Sequence, residues 1–215
     1  MSILKEGYPF IFPPLAAGLA LAGIFSFSGR LNLPGVAACI ALGLGIVLII
    51  FALFCVFFFR DPKIEITKGE NIILSPCNGT VMELEEKNNE KVIRVFLSIF
   101  SVHLQRSPAA GTVTGVTHQD GKFLMAWDPR AQSENEQNII TIQAEDGVYT
   151  VRQIAGFLAR RCVSWVKPGD VLEAGDKIGM IKFSSQVDLH LPVHAVISVK
   201  PGDKVRAGIT VMGTK

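Results

Sequence analysis

Two stretches near the start of the chain carry no charged residue. Residues 8–29 (YPFIFPPLAAGLALAGIFSFSG) and 33–59 (LPGVAACIALGLGIVLIIFALFCVFFF) are apolar almost throughout. Each exceeds the roughly 18–20 residues that a helix needs to cross a ~30 Å hydrocarbon layer. The pattern predicts two membrane-spanning helical segments joined by the short link Gly29-Arg30-Leu31-Asn32. Pro13 and Pro14 lie inside the first segment, so its helix is expected to begin there and either to span tightly or to sit partly re-entrant. A secretory leader would be shorter, with a cationic start and a small-residue cleavage site. Lys5 precedes the two segments, Arg60 and Lys63 follow them, and Arg30 alone occupies the link. That excess of positive charge at the outer ends predicts that both ends face the cytoplasm.

From Arg60 onward the pattern changes. There is no long helical period. Short runs rich in Val, Ile, Phe and Thr recur at Asn71–Ser75, Thr80–Leu84, Val92–Ser98, Gly111–Thr117, Ile139–Gln143, Val148–Ile154, Lys177–Phe183, Ala195–Val199 and Thr210–Met212. Gly, Pro, Asn and Asp separate them, which is the signature of a mainly antiparallel β domain. The chain thus divides into an anchor, residues 1–59, and a β domain, residues 60–215, long enough to bury a core. Residues 127–138 (WDPRAQSENEQN) are the longest polar connection, the kind that is functional or mobile. Asn78-Gly79 reads as a hairpin-type turn. "VKPGDVLEAGDKIGMI" from Val166 and "VKPGDKVRAGITVMG" from Val199 repeat at an offset of 33. Pro-Gly supplies a tight turn in each copy. The repeat predicts quasi-symmetric halves of a β-sandwich or barrel-like domain, with hairpins of the lipoyl and biotinyl kind.

Charge and cysteine usage narrow the function. The formal net charge is +2 over 215 residues with no basic stripe, which argues against a nucleic-acid partner. Cys39 and Cys55 lie in the apolar segments, while Cys77 and Cys162 are isolated, without CxxC spacing. Neither a disulfide framework nor a zinc knuckle follows from that arrangement.

Four polar spots stand in apolar surroundings: Ser75 to Gly79, Ser101 to Arg106, the Ser184-Ser185 pair within "MIKFSSQVD", and Asp188 with His190 and His194. Their residues alone leave several readings open. His103 alternates with Val102 and Leu104, as a core or surface histidine does. The serine pair could be a polar turn after a strand, or could hold a reactive hydroxyl. Asp188, His190 and His194 could share a strand face and bind a metal ion, as in a metal-dependent hydrolase. Pro192 excludes a helix there.

The order of the motifs resembles the short, membrane-attached form of phosphatidylserine decarboxylase over nearly the full length. The likeness is carried by "FFRDPK" (Phe58 to Lys63), "SPCNGTV" from Ser75 and "FLSIFSVHLQRSPAAGTV" from Phe96. It continues through "SENEQN" from Ser133, "QIAGFLARR" from Gln153, "WVKPGD", and "GMIKFSSQVDLHLP". The resemblance implies a proenzyme that cleaves itself between Ser184 and Ser185. Ser185 would become a covalent pyruvoyl group, and chains 1–184 and 185–215 would stay associated. The pyruvoyl carbonyl would form a Schiff base with the serine amine of phosphatidylserine and act as electron sink for decarboxylation to phosphatidylethanolamine. His103 would do acid–base work. Arg106, Arg160 and Arg161 become candidates for the substrate phosphate, since a guanidinium matches a phosphate. No metal is implied. The substrate lies in the bilayer, so the apolar segments would hold the domain at the cytoplasmic side of the cell membrane.

Two positions depart from the family pattern. Asn78 stands where the family usually has Asp, in a Ser-Pro-x-Asp-Gly run. An amide can orient a histidine but cannot stabilise an imidazolium as a carboxylate does. Deamidation at Asn78-Gly79 would restore the acid. Ser184 stands where the family usually has Gly, which tolerates strained backbone better. A non-cleaving, membrane-bound lipid-binding relative and the metal-dependent hydrolase are the alternative readings.

Overall fold

The computed structural model describes every residue except 31, 88–89, 125–127, 129, 157–160 and 183–184, with residues 87 and 185 described by their backbone alone. The chain separates into two units, Met1–Lys63 and Ile64–Lys215.

In the first unit, helix α1 (Tyr8–Ser26) and helix α2 (Gly35–Phe58) form a hairpin. Both are long and apolar enough to cross a membrane. The two backbones approach closely where side chains are missing. A Cβ added at Gly18 would lie 2.8 Å from the Gly45 carbonyl oxygen, and one added at Gly45 would lie 2.8 Å from that of Gly18. Small residues at such a crossing let apolar helices pack without a hydrophobic driving force. Strand β1 (Ser2–Ile3) pairs with β2 (Arg60–Asp61), so the two outer ends of the hairpin lie side by side. Helix α1 begins at Tyr8, earlier than the expected start at Pro13, and runs through both prolines. They are its sixth and seventh residues, so the helix goes without two intrahelical bonds, those to the Pro9 and Phe10 carbonyls.

The second unit is mainly β. Its strands in chain order are β3 (Ile72–Leu74), β4 (Gly79–Lys87), β5 (Glu90–Leu97), β6 (Leu104–Arg106), β7 (Gly111–Gln119), β8 (Gln137–Ala144), β9 (Gly147–Ala155), β10 (Arg161–Ser164), β11 (Val171–Leu172), β12 (Lys177–Lys182), β13 (Ser185–Pro192), β14 (Val196–Ile197), β15 (Lys204–Val205) and β16 (Val211–Thr214). An eight-stranded sheet has the order β11-β7-β8-β9-β13-β5-β4-β15, and two small sheets have the orders β10-β12-β6 and β14-β16-β3. The pairings between these strands are antiparallel. One face of the large sheet carries Val187, Leu189 and Leu191 of β13 beside Ile93, Val95 and Leu97 of β5 and Val151 of β9, all buried in one core. Alternation puts Arg94, Asp188 and Arg152 on the opposite face.

This order reads the same from either end about the β9–β13 boundary, and the local geometry agrees. The segments "SPCNGTV" (75–81) and "SPAAGTV" (107–113) are a second repeat. They exchange hydrogen bonds: Leu74 N–H donates to the Pro108 carbonyl at 2.9 Å, and Arg106 N–H to that of Pro76 at 2.8 Å. Each copy docks one Pro-Gly-Asp turn. Gly169 N–H donates to Val113 O and Gly202 N–H to Val81 O, both at 2.8 Å. The turns are capped alike, with Lys167 N–H on Asp170 Oδ2 and Lys200 N–H on Asp203 Oδ2, each at 2.9 Å. Gly169 and Gly202 adopt φ of 95° and 93°, a region L residues avoid. The quasi-repeated halves are therefore real.

Two expectations change. Asn78-Gly79 does not close a hairpin, because β3 pairs with β16 while β4 pairs with β5 and β15. The polar connection 127–138 holds the one-turn helix α3 (Ala131–Glu134) and the start of β8.

Candidate active site

Four strand ends meet at one edge of the large sheet. Ser185 begins β13 and stands opposite Leu97, the last residue of β5, and Ala155, the last residue of β9. One strand further along, Thr80 stands opposite Phe96, so β4 starts at the same edge. The chain reaches Ser185 from the small sheet, where Lys182 ends β12 opposite Arg161. The Ser184–Ser185 bond thus falls where the chain leaves one sheet and enters another. Ser184 and the Ser185 side chain lie outside the described residues.

His103 lies beside this crossing. It follows β5 by a short turn and is 1% exposed. Its Nδ1 is 3.0 Å from the Ser101 carbonyl oxygen. That oxygen only accepts, so Nδ1 carries the proton and the neutral ring keeps its basic lone pair on Nε2. The His103 carbonyl accepts from Ile181 N–H at 3.1 Å and from Gln105 Nε2 at 2.9 Å. Ile181 is on β12, four residues before Ser185, so the histidine segment is bonded directly to the strand that leads into the crossing.

The other predicted residues take separate places. Asn78 Oδ1 accepts from the Ala207 main-chain N–H at 2.9 Å. Arg106 is buried, and its NH1 donates to the Gly175 carbonyl at 2.7 Å. It stands opposite Lys177, at the far end of β12 from the crossing. Arg161 is exposed opposite Lys182, at the near end. Arg160 lies outside the described residues. Burial pushes the Cys77 thiol up, and the Cys162 thiol up to about 12, so neither offers a thiolate at neutral pH.

Asp188, His190 and His194 do not form a metal centre. Asp188 is 1% exposed and accepts from Gln186 Nε2 at 2.6 Å, with Arg94 Nε 3.6 Å away. Burial raises its pKa, against the pull of Gln186, Arg94 and Arg152. His190 pairs with Glu90 at 3.0 Å, and His194 lies 3.8 Å from Asp146. Among the described residues no group of three or more His, Cys, Asp or Glu side chains could hold an ion.

Sequence reasoning missed three buried amides. Asn135 is fully buried. Its Nδ2 donates to the Ala155 carbonyl at 2.7 Å and to that of Leu124 at 2.9 Å, while its Oδ1 accepts from Leu124 N–H at 2.8 Å. It therefore ties the loop after β7 to Ala155, the neighbour of Ser185 in the sheet. Gln105 and Gln153 are also fully buried, and Gln153 Nε2 donates to Gln105 Oε1 at 2.8 Å. The signals in the sequence were their position inside the stretches that carry the family resemblance and, for Gln105, its place in the polar spot Ser101 to Arg106.

The family model for phosphatidylserine decarboxylase matches residues 51–213. The chain belongs to the phosphatidylserine decarboxylase family. It is 34% identical to a phosphatidylserine decarboxylase proenzyme of Magnetococcus marinus, over 98% of this chain and 94% of that one. It is 43% identical to one of Carboxydothermus hydrogenoformans, over 79% and 84% respectively. A third, from Geotalea uraniireducens, is 38% identical over 98% of this chain and 95% of its own. The match to the decarboxylase family covers all four strand ends, His103 and the serine pair.

Proposed function

We propose that this chain is a self-cleaving phosphatidylserine decarboxylase whose reactive group derives from Ser185. The observation that carries the reading is the change of sheet at the Ser184–Ser185 bond beside buried His103, in a chain whose relatives are named proenzymes.

Self-cleavage would begin with attack of the Ser185 hydroxyl on the carbonyl carbon of residue 184. The C–N bond breaks, a C–O bond forms, and the peptide becomes an ester with a free amine on residue 185. Loss of the residue 185 Cα proton then breaks the Cβ–O bond. Residue 184 leaves as a carboxylate, and dehydroalanine remains. Water adds at Cα, ammonia departs, and residue 185 becomes a pyruvoyl group amide-linked to Gln186. A base is needed for the hydroxyl and Cα protons, and the lone pair on His103 Nε2 suits that work at neutral pH. The surroundings fit such a group. Strand β13 is bonded on both sides, to β5 and β9, so residue 185 would stay seated after the chain is cut.

The pyruvoyl ketone supplies an electron sink for the carbanion left when an α-amino acid loses CO₂. His103 would return a proton to that carbon. Of the three arginines predicted to meet the lipid phosphate, Arg161 has the supporting position, exposed beside Lys182, whereas Arg106 is engaged with a turn carbonyl. The two apolar helices would hold the domain on the bilayer that contains the substrate, with the domain on the cytoplasmic side. The test is incubation of purified protein with phosphatidylserine vesicles. The reading expects equal release of CO₂ and phosphatidylethanolamine, abolished by hydroxylamine, which captures ketones. Turnover insensitive to hydroxylamine would contradict it.

A further inference from the structure

The near-symmetry of the fold exposes a departure that packing does not require. On β9, Gln153 stands opposite Asn138, and on β6, Gln105 stands opposite Gly179. The dyad-related positions follow from the register. Ile73 stands opposite Gly213, and both ladders carry a shift at that place. In the large sheet the bulge between Val81 and Glu83 matches the one between Val113 and Gly115, which fixes Leu191, opposite Lys91, as the counterpart of Gln153. The half away from the crossing thus uses Leu191 and Ile73, both buried in the core. The half beside the crossing uses Gln153 and Gln105, equally buried.

The polar pair makes a continuous chain. Gln153 Oε1 accepts from Asn138 Nδ2 at 3.2 Å, Gln153 Nε2 donates to Gln105 Oε1 at 2.8 Å, and Gln105 Nε2 donates to the His103 carbonyl at 2.9 Å. Gln153 Nε2 also lies 3.4 Å from the Val163 carbonyl of β10. A Cβ at Gly179 would come within 2.8 Å of that amide nitrogen, so the amide packs directly against the β12 backbone. One amide on the large sheet therefore meets all three strands of the small sheet. These are the two sheets that the Ser184–Ser185 segment connects.

We infer that Gln153 and Gln105 are positioning residues that fix the main chain of His103 between the two sheets flanking the Ser184–Ser185 bond. This rests on the self-cleaving reading. Neither amide ionises, and neither is needed to fill the core, since leucine and isoleucine do so across the dyad. What the pair adds is a fixed distance between β9, next to β13, and the histidine segment bonded to β12.

The experiment follows conversion of newly synthesised full-length chain, inserted into lipid nanodiscs, from one band to two. The double variant Gln153→Leu with Gln105→Ile copies the apolar half. It should melt as a folded protein and cleave about ten- to a hundredfold slower than wild type, the loss expected for a buried hydrogen bond that matters to a barrier. Gln153→Glu reads the same role without a change of shape. A protonated carboxyl can donate to Gln105 and accept from Asn138, but a carboxylate cannot donate. Its cleavage rate, divided by the wild-type rate at each pH, should be highest in acid and fall as pH rises. His118, Cys162, Glu136 and His103 face the same network and are present in both proteins, so dividing by the wild-type rate at each pH takes out the pH dependence the two proteins share. A folded double variant that cleaves at the wild-type rate overturns the inference. So does a pH-independent Gln153→Glu ratio, which decides the matter if the double variant fails to fold. Wild type that never cleaves would instead sink the reading of the site itself.

Discussion

Asn78 Oδ1 accepts a hydrogen bond from the main-chain N–H of Ala207 at 2.9 Å, and the two residues lie on opposite sides of the Ser184–Ser185 bond in sequence. The contact therefore joins the two chains that cleavage would produce. Asn78→Ala removes the acceptor and should cost about 1 kcal/mol of stability. Asn78→Asp keeps it and should keep the fold while cleaving at least as fast as wild type. Gly79 is in the β4 ladder, and a Cβ there would lie 2.2 Å from the Phe96 carbonyl oxygen. With Gly79 so confined and the Asn78 carbonyl engaged, attack of the Gly79 nitrogen on the amide requires the strand to leave. Peptide mass analysis should find Asn78 still an amide in the mature protein; an aspartate there would revive deamidation as the route to an acid.

Asp188 gives a pH signature. Its pKa is raised in the folded state, chiefly by burial. The folded protein then holds a proton that the unfolded chain has already lost, so this residue's contribution to stability is full below the usual carboxylate range and declines as pH rises through the raised value. Asp188→Asn does not orphan Arg94, which also meets Glu83 at 2.6 Å and Glu85 at 2.5 Å. Thermal melts should show the variant as stable as wild type or more so at neutral pH, with wild type gaining on it as the solution is acidified. A gap that widens against wild type in acid would reverse the sign.

His103→Gln keeps a hydrogen-bonding side chain for Ser101 but has no basic lone pair. Self-cleavage should slow, and chain that does mature should decarboxylate about a hundred- to ten-thousandfold more slowly. Vesicle binding should be unchanged. Full turnover in matured His103→Gln would assign the proton transfer to another group.

Much of this architecture was legible. β5 and β9 read from alternation because each has one apolar face, and the helices from length and composition alone. Strand β13 was not among the predicted strands, because its polar positions Gln186, Asp188 and His190 resemble a loop. Those residues instead line a face where Arg94 and Arg152 stand opposite Asp188. Two-residue strands such as β11 and β15 have no period to read. Gln153 was missed because, between Arg152 and Ile154, it looks like the solvent-facing residue and Ile154 like the core one. His103 was identified by the family likeness, while its tautomer needed the distance to Ser101.

The orientation of the hairpin can be measured by labelling. With Cys39 and Cys55 replaced by Ala, a cysteine at Gly29 should react with a membrane-impermeant maleimide added outside intact cells. A cysteine at Ser198 should react only after lysis. The opposite pattern would put the β domain on the outer face, against the charge distribution of Lys5, Arg60 and Lys63.

The most direct measurement is the mass of each band from purified protein run under denaturing conditions. The account predicts a chain of residues 1–184 and a second chain, 185–215, whose first residue has become pyruvoyl and is blocked to amino-terminal sequencing. Under native conditions the two should co-elute, held by β13 between β5 and β9. Ser185→Ala should give one uncut chain, and Ser184→Ala should still be cut. A single intact wild-type chain, or a cut at another bond, would contradict it.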